Sequence, residues 1–337
     1  MPAVTPVLKS SSFITRRDKP ILTHKDIPYP ATLIFNAGVV KYNGKYVMVF
    51  RNDYGCTEES FANGDRFKGT SVGIAVSDNG IDNWVVREKP LIDSCDINDK
   101  EISRYYDPRI TLIDGKPYLC LAMDTEHGIR GAIAEVDDNF ESFNIISTTV
   151  PDNRNMALFP EKIGDRYVRL ERPFPVYGRW GKDRFDVWMS KSPDLRYWGD
   201  TSLLLGVEDV PFANDKLGPA APPVKTEKGW LTLFHAVDID ESRGKNGWEK
   251  VWKKRYTAGI MLLDKDDPSK VIGFCKEPLI APETEYEVNE GFRQNVIFPC
   301  GMVLEDSGEV KIYYGASDTV TCLATADVND LLSLCIK

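Results

Sequence analysis

Histidine is scarce in this chain. Its 337 residues include three, His24, His127 and His235, each more than a hundred positions from the next. A His/Cys metal centre therefore has few ligands to draw on, and no metal is expected. Paired cysteines are missing as well. The seven are an odd number, scattered singly without a C-x-x-C, which suits reduced thiols in a cytoplasm better than a disulfide framework. No apolar run approaches membrane-spanning length, and the N-terminal "MPAVTPVLKSSSFITRRDKP" lacks the apolar core of a signal peptide. An excess of positive charge is also absent. The net charge of −9 argues against a nucleic-acid scaffold, which needs a basic face. Helix-period segments are nearly missing too, apart from the C-terminal "DVNDLLSLCIK".

What is present is a repeat. At 42% hydrophobic and 28% charged residues the chain can bury a substantial core. Five segments share an apolar strand, a glycine-containing turn and a second apolar strand rich in aromatics. They are "FNAGVVKYNGKYVMVFRND", "YDPRITLIDGKPYLCLAMD", "NMALFPEKIGDRYVRLERP", "GPAAPPVKTEKGWLTLFHAVD" and "VIFPCGMVLEDSGEVKIYYGASD", with turn glycines Gly44, Gly115, Gly164, Gly229 and Gly308. Such turns between β-branched and aromatic runs are hairpin signals. Each hairpin is followed by a small-residue strand and an Asp-rich turn, as in "SVGIAVSDNGIDNW" and "FDVWMSKSPDLRYW". A hairpin with a third strand and a short outer strand makes one four-stranded blade. Five in tandem read as an all-β, five-bladed β-propeller with a short C-terminal helix, occupying residues 1–337 as a single domain.

That architecture predicts where a site lies. In a blade, the start of the first strand and the end of the second lie at the same end of the axis. Those positions hold Asn36 with Arg51 and Asp53, Asp107 with Asp124, and Arg154 and Asn155 with Arg172. The last two blades add Lys216 with His235 and Asn295 with Asp318. Asp53, Asp124 and Asp318 taken singly are ordinary turn formers, and the arginines ordinary strand ends. Taken together they form a funnel of mixed charge suited to a polar, partly anionic ligand.

In "FNAGVV" with "VFRND", "YYDPRIT", "RNMALFPEKI" with "RLERP", "KLGPAAPPVKTEKGWLTLFHAV" and "YYGASDT", the sequence resembles glycoside hydrolase family 130, the inverting β-mannoside phosphorylases, over essentially its full length. The resemblance implies a five-bladed propeller and cleavage of a β-mannoside by inorganic phosphate as co-substrate, without a cofactor. It implies Asp107 as the single catalytic acid and Asn36, Arg51 and Asp318 as residues holding the mannosyl unit. Arg154, Asn155, Arg172, Lys216 and His235 match the phosphate-binding set. The acid of family members is thought to deliver its proton through a mannose hydroxyl. Members often assemble, so a homo-oligomer is among the expectations. The chain reads as starting directly at blade one, and it carries an insert, "DIDESRGKNGWEKVWKKRY", in blade four.

The chemistry matches the residue types. A glycosidase uses two carboxyl groups, whereas a phosphorylase needs one acid and a cationic cradle for its nucleophile. A β-mannosidase on the same fold would need a carboxylate base, and a non-catalytic sugar-binding propeller has no reason to set Asp107 against paired arginines. Whether burial and carboxylates raise the pKa of Asp107, or Arg51 and Arg109 lower it, is open at this point. Tyr105, Tyr106, Tyr177, Trp180 and Trp248 are candidates to stack on the acceptor sugar. The basic segment of the insert reads as an exposed lid or subunit contact, with no nucleic acid or membrane partner expected.

Overall fold

The computed structural model describes residues 7–175, 183–243, 247–249 and 252–336. They form five antiparallel sheets arranged as the blades of a propeller. Blade one runs through Leu33–Tyr42, Lys45–Tyr54, Gly69–Ser77 and Val85–Val86. Blade two comprises Ile102–Ile113, Lys116–Thr125, Gly128–Val136 and Phe143–Thr148. Blade three comprises Asn153–Leu158, Tyr167–Pro173, Val187–Ser192 and Gly199–Leu205. In blade four the inner strand is split into Lys216–Pro219 and Val224–Thr226, because Pro222 and Pro223 between them have no N–H for the ladder. Gly229–Ile239, Lys254–Leu263 and Val271–Phe274 complete that blade.

Blade five corrects the expectation that the chain starts at blade one. Its strands Ile297–Leu304, Glu309–Ala316 and Val320–Asp327 are followed by the helix Val328–Cys335, not by a fourth strand. The outer strand is Thr15–Arg16 from the N-terminal segment, with Thr15 opposite Thr325 and Arg16 opposite Ala324. The first and last parts of the chain thus close the ring in one sheet. Arg16 fastens the closure, pairing with Glu283 at 3.0 Å and with the buried Glu287 at 3.2 Å.

The core lies between the blades. Alternating residues of each strand point to opposite neighbours: in blade one, Val47 and Val49 pack toward blade two, and Met48 and Phe50 toward blade five. Blades two and three meet through Ile113, Ile133, Met156 and Leu158, and blades three and four through Phe159, Leu170, Trp230 and Phe234. Leu231, Ile260, Ile297 and Ile312 join blades four and five. With side chains buried on both faces, each sheet is held in place by its neighbours, and the polar residues at the inner strand ends are left to face the axis.

Candidate active site

A local distortion repeats in the first three blades. Each inner strand carries one extra residue relative to its partner, between Phe35 and Gly38, between Tyr106 and Arg109, and between Arg154 and Ala157. Asn36, Asp107 and Asn155 sit at these bulges with φ of 54°, 52° and 58°. This left-handed conformation is unfavourable for most L-residues and tolerated best by Asn and Asp after glycine. A bulge breaks the alternation of side chains and re-aims one of them. Here all three line one pocket on the axis, with Arg51, Arg154, Arg172 and Asp318 from the same and neighbouring blades. It is a small cavity, of about 80 Å³.

Asp107 is 6% exposed. One of its oxygens, Oδ1, accepts from Asn36 Nδ2 at 2.9 Å and from Arg51 Nη1 at 3.0 Å, and neither contact uses Oδ2. Burial pushes this carboxyl up. Arg51, the Asn36 hydrogen bond, Arg109 and Arg154 together outweigh it and hold it below the ordinary aspartate value. The cations win, and they favour the carboxylate form of Asp107. Asp318 has the opposite balance: burial dominates and raises it, Arg293 and Arg51 oppose, and Asp107 adds to the rise.

Two arginines stand side by side at the pocket's third-blade wall, Arg154 directly opposite Arg172 on paired strands. Like charges at such positions repel. Arg172 is 1% exposed, and burial, followed by repulsion from Arg154, brings its guanidinium down to about 9. Its Nη1 lies 3.2 Å from His235 Nε2, while Nε and Nη2, like Arg154 Nε, are buried without a hydrogen-bond partner among the described residues. Buried donors left open in this way are rare.

Five of the sequence-predicted residues, Asp53, Asp124, Lys216, His235 and Asn295, are not among those lining the pocket. Asp53 grips Arg51 with both oxygens, at 3.0 and 2.6 Å, and accepts from Thr70 at 2.7 Å. Asp124 takes Arg104 at 2.7 Å and the Tyr106 hydroxyl at 2.8 Å, and that hydroxyl accepts from Arg154 at 3.3 Å. His235 is fully buried, with Nδ1 on the Pro219 carbonyl at 3.3 Å, so its Nε2 lone pair faces Arg172. Burial and the cations Arg172, Arg109 and Lys216 hold it neutral, well below the usual histidine range. Lys216 lies over the Phe185 ring at 5.1 Å and beside Asp215 at 3.6 Å. Burial, then Arg172, brings it down to about 7. The register also differs from expectation: Lys216 pairs with Val237, and His235 with Gly218, where a Cβ would lie 2.3 Å from the imidazole.

The sequence argument missed Tyr256 and Arg293, both of which line the pocket. Tyr256 lies near the start of the third strand of blade four opposite Val237, so the antiparallel rule that located second-strand ends could have found it. Arg293 lies in the loop before blade five, where no repeat signal exists. Of the aromatic candidates, Tyr106 flanks Arg51 at 4.8 Å, while Tyr105 packs between blades one and two. Trp248 packs among Phe61, Phe67 and Phe292, and Tyr177 and Trp180 lie outside the described residues. Among the described residues no group of three or more His, Cys, Asp and Glu could hold a metal, and no helix is long and apolar enough to cross a membrane.

The propeller with an axial pocket of open guanidinium donors beside carboxyl groups defines a protein built to bind a polar, anion-containing ligand. Comparison with known proteins narrows the class. The family model of glycoside hydrolase family 130, described as beta-1,4-mannooligosaccharide phosphorylase, matches residues 5–337, and the chain belongs to this family. It is 31% identical over 327 residues to a 1,2-beta-oligomannan phosphorylase of Thermoanaerobacter sp., covering 93% of this chain and 97% of that one. It is 30% identical to a beta-1,4-mannooligosaccharide phosphorylase of Ruminococcus albus, covering 93% and 88%. The structure of beta-1,2-mannobiose phosphorylase from Listeria innocua superimposes with a TM-score of 0.78 at 26% identity, covering 95% of this chain and 98% of that one.

Proposed function

We propose that this protein is an inverting β-mannoside phosphorylase, cleaving a β-mannosyl disaccharide or oligosaccharide with inorganic phosphate to α-mannose 1-phosphate and a shortened sugar. The observation that carries the reading is the pair Arg154 and Arg172, with open buried donors in the same pocket as Asp107. An arginine fork matches phosphate oxygens in pairs, and a water-using enzyme has no use for an arginine held at such cost.

In this reading a phosphate oxygen attacks the anomeric carbon from the face opposite the glycosidic oxygen. The C1–O bond to the acceptor breaks as the new C1–O bond to phosphate forms, so β becomes α. The departing oxygen takes the proton of Asp107, delivered through a mannose hydroxyl. Asn36, Arg51 and Asp318 hold the mannosyl unit, and Arg154, Asn155 and Arg172 hold phosphate. Lys216 adds a positive potential, and His235 fixes Arg172 while staying neutral. The cations around Asp107 favour its carboxylate form. A phosphate dianion arriving at Arg154 cancels part of that field, favouring the protonated form the reaction needs.

We read residues 1–337 as one catalytic domain, a reading supported by Thr15–Arg16 completing the sheet of blade five. The seven free thiols fit a cytoplasmic setting. Relatives named for 1,2- and 1,4-linked substrates share nearly equal identity with this chain, so the linkage is left to experiment. The test incubates the purified protein with β-1,2- and β-1,4-mannobiose, with and without phosphate, and identifies the product by ³¹P and ¹H NMR. Phosphate-dependent formation of α-mannose 1-phosphate is expected. Free mannose formed at the same rate without phosphate would establish a hydrolase instead.

A further inference from the structure

Within the blade-four insert, Glu249 reaches Arg293, a residue that lines the pocket. Trp248 anchors the insert: its N–H donates to the Phe292 carbonyl at 2.9 Å, and its ring packs on Phe67 and Phe292. The next residue, Glu249, forks onto Arg293, with Oε2 accepting from Nε at 3.0 Å and Oε1 from Nη2 at 2.9 Å. The remaining nitrogen, Nη1, donates to Asp318 Oδ2 at 3.2 Å. The guanidinium also lies over the rings of Trp252 at 4.6 Å and Phe292 at 5.0 Å, so its faces as well as its edges are engaged. Arg293 and Asp318 line the pocket and Glu249 does not. Asp318 itself has φ of 49°, so its backbone is committed and its carboxylate depends on partners for its aim.

We infer that Glu249 is a positioning residue: by fixing Arg293 it holds the Asp318 carboxylate in place against the glycosyl substrate. The insert thereby sets affinity for the sugar and not for phosphate, a statement that rests on the function proposed above. Two of the three Arg293 nitrogens that make ion pairs are spent on Glu249, and bidentate pairs are the geometrically specific ones. Without the fork, the guanidinium keeps one 3.2 Å contact and is free to turn. The charged and titratable groups around Asp318 are Arg293, Arg51, Asp107 and the buried thiol Cys300, and those around Arg293 are Glu249, Asp318 and Tyr256. Arg293 opposes the upward push of burial on Asp318, so a displaced Arg293 leaves Asp318 protonated to higher pH.

The experiment compares wild type with Glu249→Gln, which keeps the shape and removes the charge, and with Glu241→Gln as an exposed control in the same insert. In Glu249→Gln the KM for mannoside should rise about tenfold, as for loss of a partly buried charged contact, with the phosphate KM within about twofold. The acid limb of the kcat/KM profile should move to higher pH, because the ionised Asp318 that binds sugar is lost sooner. A mannoside KM at the wild-type value, or a phosphate KM that rises in parallel, overturns the inference. A readout without turnover is the ¹³C-carboxyl titration of Asp318 in the free protein, assigned by Asp318→Asn. It should move upward in Glu249→Gln, and an unchanged titration overturns the inference even if wild type proves to phosphorolyse no mannoside, an outcome that by itself rejects only the proposed function.

Discussion

Arg172 makes the free protein less stable than it could be, and the size of the effect can be worked out. The side chain is 1% exposed, has a neutral histidine on one nitrogen, and faces a second arginine. A guanidinium brought down to about 9 is disfavoured in its charged form by roughly 5 kcal/mol. Water entering the open mouth reduces what the folded state bears to about 2–4 kcal/mol. Arg172→Met keeps much of the volume and removes the charge with its two open donors. It strands His235 Nε2, at about 1 kcal/mol. The variant should therefore be about 1–3 kcal/mol more stable than wild type in phosphate-free buffer, a rise of a few degrees in Tm. The sign of the pH dependence follows from the lowered pKa. Below about 9 the guanidinium is charged in both folded and unfolded states, so the penalty is fully present at neutral pH. It is relieved only as pH rises above about 9. The stability gain of Arg172→Met should thus be level from pH 6 to 8 and shrink above 9. Phosphate works against this difference: at a hundred times its Kd for wild type it should stabilise wild type by about 2.7 kcal/mol and the variant by less than about 0.5 kcal/mol. Losing two charge-assisted hydrogen bonds of about 1.5–3 kcal/mol each should raise the phosphate KM at least about a hundredfold. Calorimetry with and without phosphate, together with initial rates, reads all three. A variant less stable than wild type without phosphate, or equally stabilised by it, refutes the reasoning.

Two other substitutions probe different links. Asp107→Asn should lower phosphorolysis by about 10²–10⁴-fold, the range for loss of a general acid, with circular dichroism unchanged because Arg51 keeps its bidentate grip on Asp53; near-wild-type turnover would remove Asp107 from its role. Arg16→Met should destabilise the protein by about 3–5 kcal/mol in urea unfolding, since it leaves Glu287 fully buried without its cation; an unchanged midpoint would mean that the ring closure does not depend on this pair.

The fold was legible because its signal is repeated. Five hairpins with glycine turns at Gly44, Gly115, Gly164, Gly229 and Gly308 give the same answer five times, and an error in one copy is outvoted. The outer strand of blade five had no such support. Two residues, Thr15 and Arg16, are too few for a pattern, and they pair with strand residues more than three hundred positions away. The insert was visible as an interruption of blade four, but the reach of Glu249 to Arg293 joins two irregular segments, and only tertiary packing brings them together.

The site was legible for a more specific reason, which also explains where the reading stopped. The bulged residues of the first three inner strands adopt positive φ, and among L-residues Asn and Asp accept that best. The same backbone demand that turns a side chain into the axis therefore selects polar residues that can also bind a sugar or carry a proton. "FNAG", "YDPR" and "RNMA" carry this constraint in sequence, and Asn36, Asp107 and Asn155 all line the pocket. Blade four has no Asn or Asp in "KLGP", and its inner strand pairs without a break from Lys216 to Pro219. Its side chains accordingly keep to the two faces of the sheet, between blades. Lys216 and His235 can then act on the pocket only through Arg172: one through its field, the other through a 3.2 Å contact. The first three blades supply groups from their inner strands that line the pocket, while blade four's first hairpin supplies the support that keeps Arg172 in place.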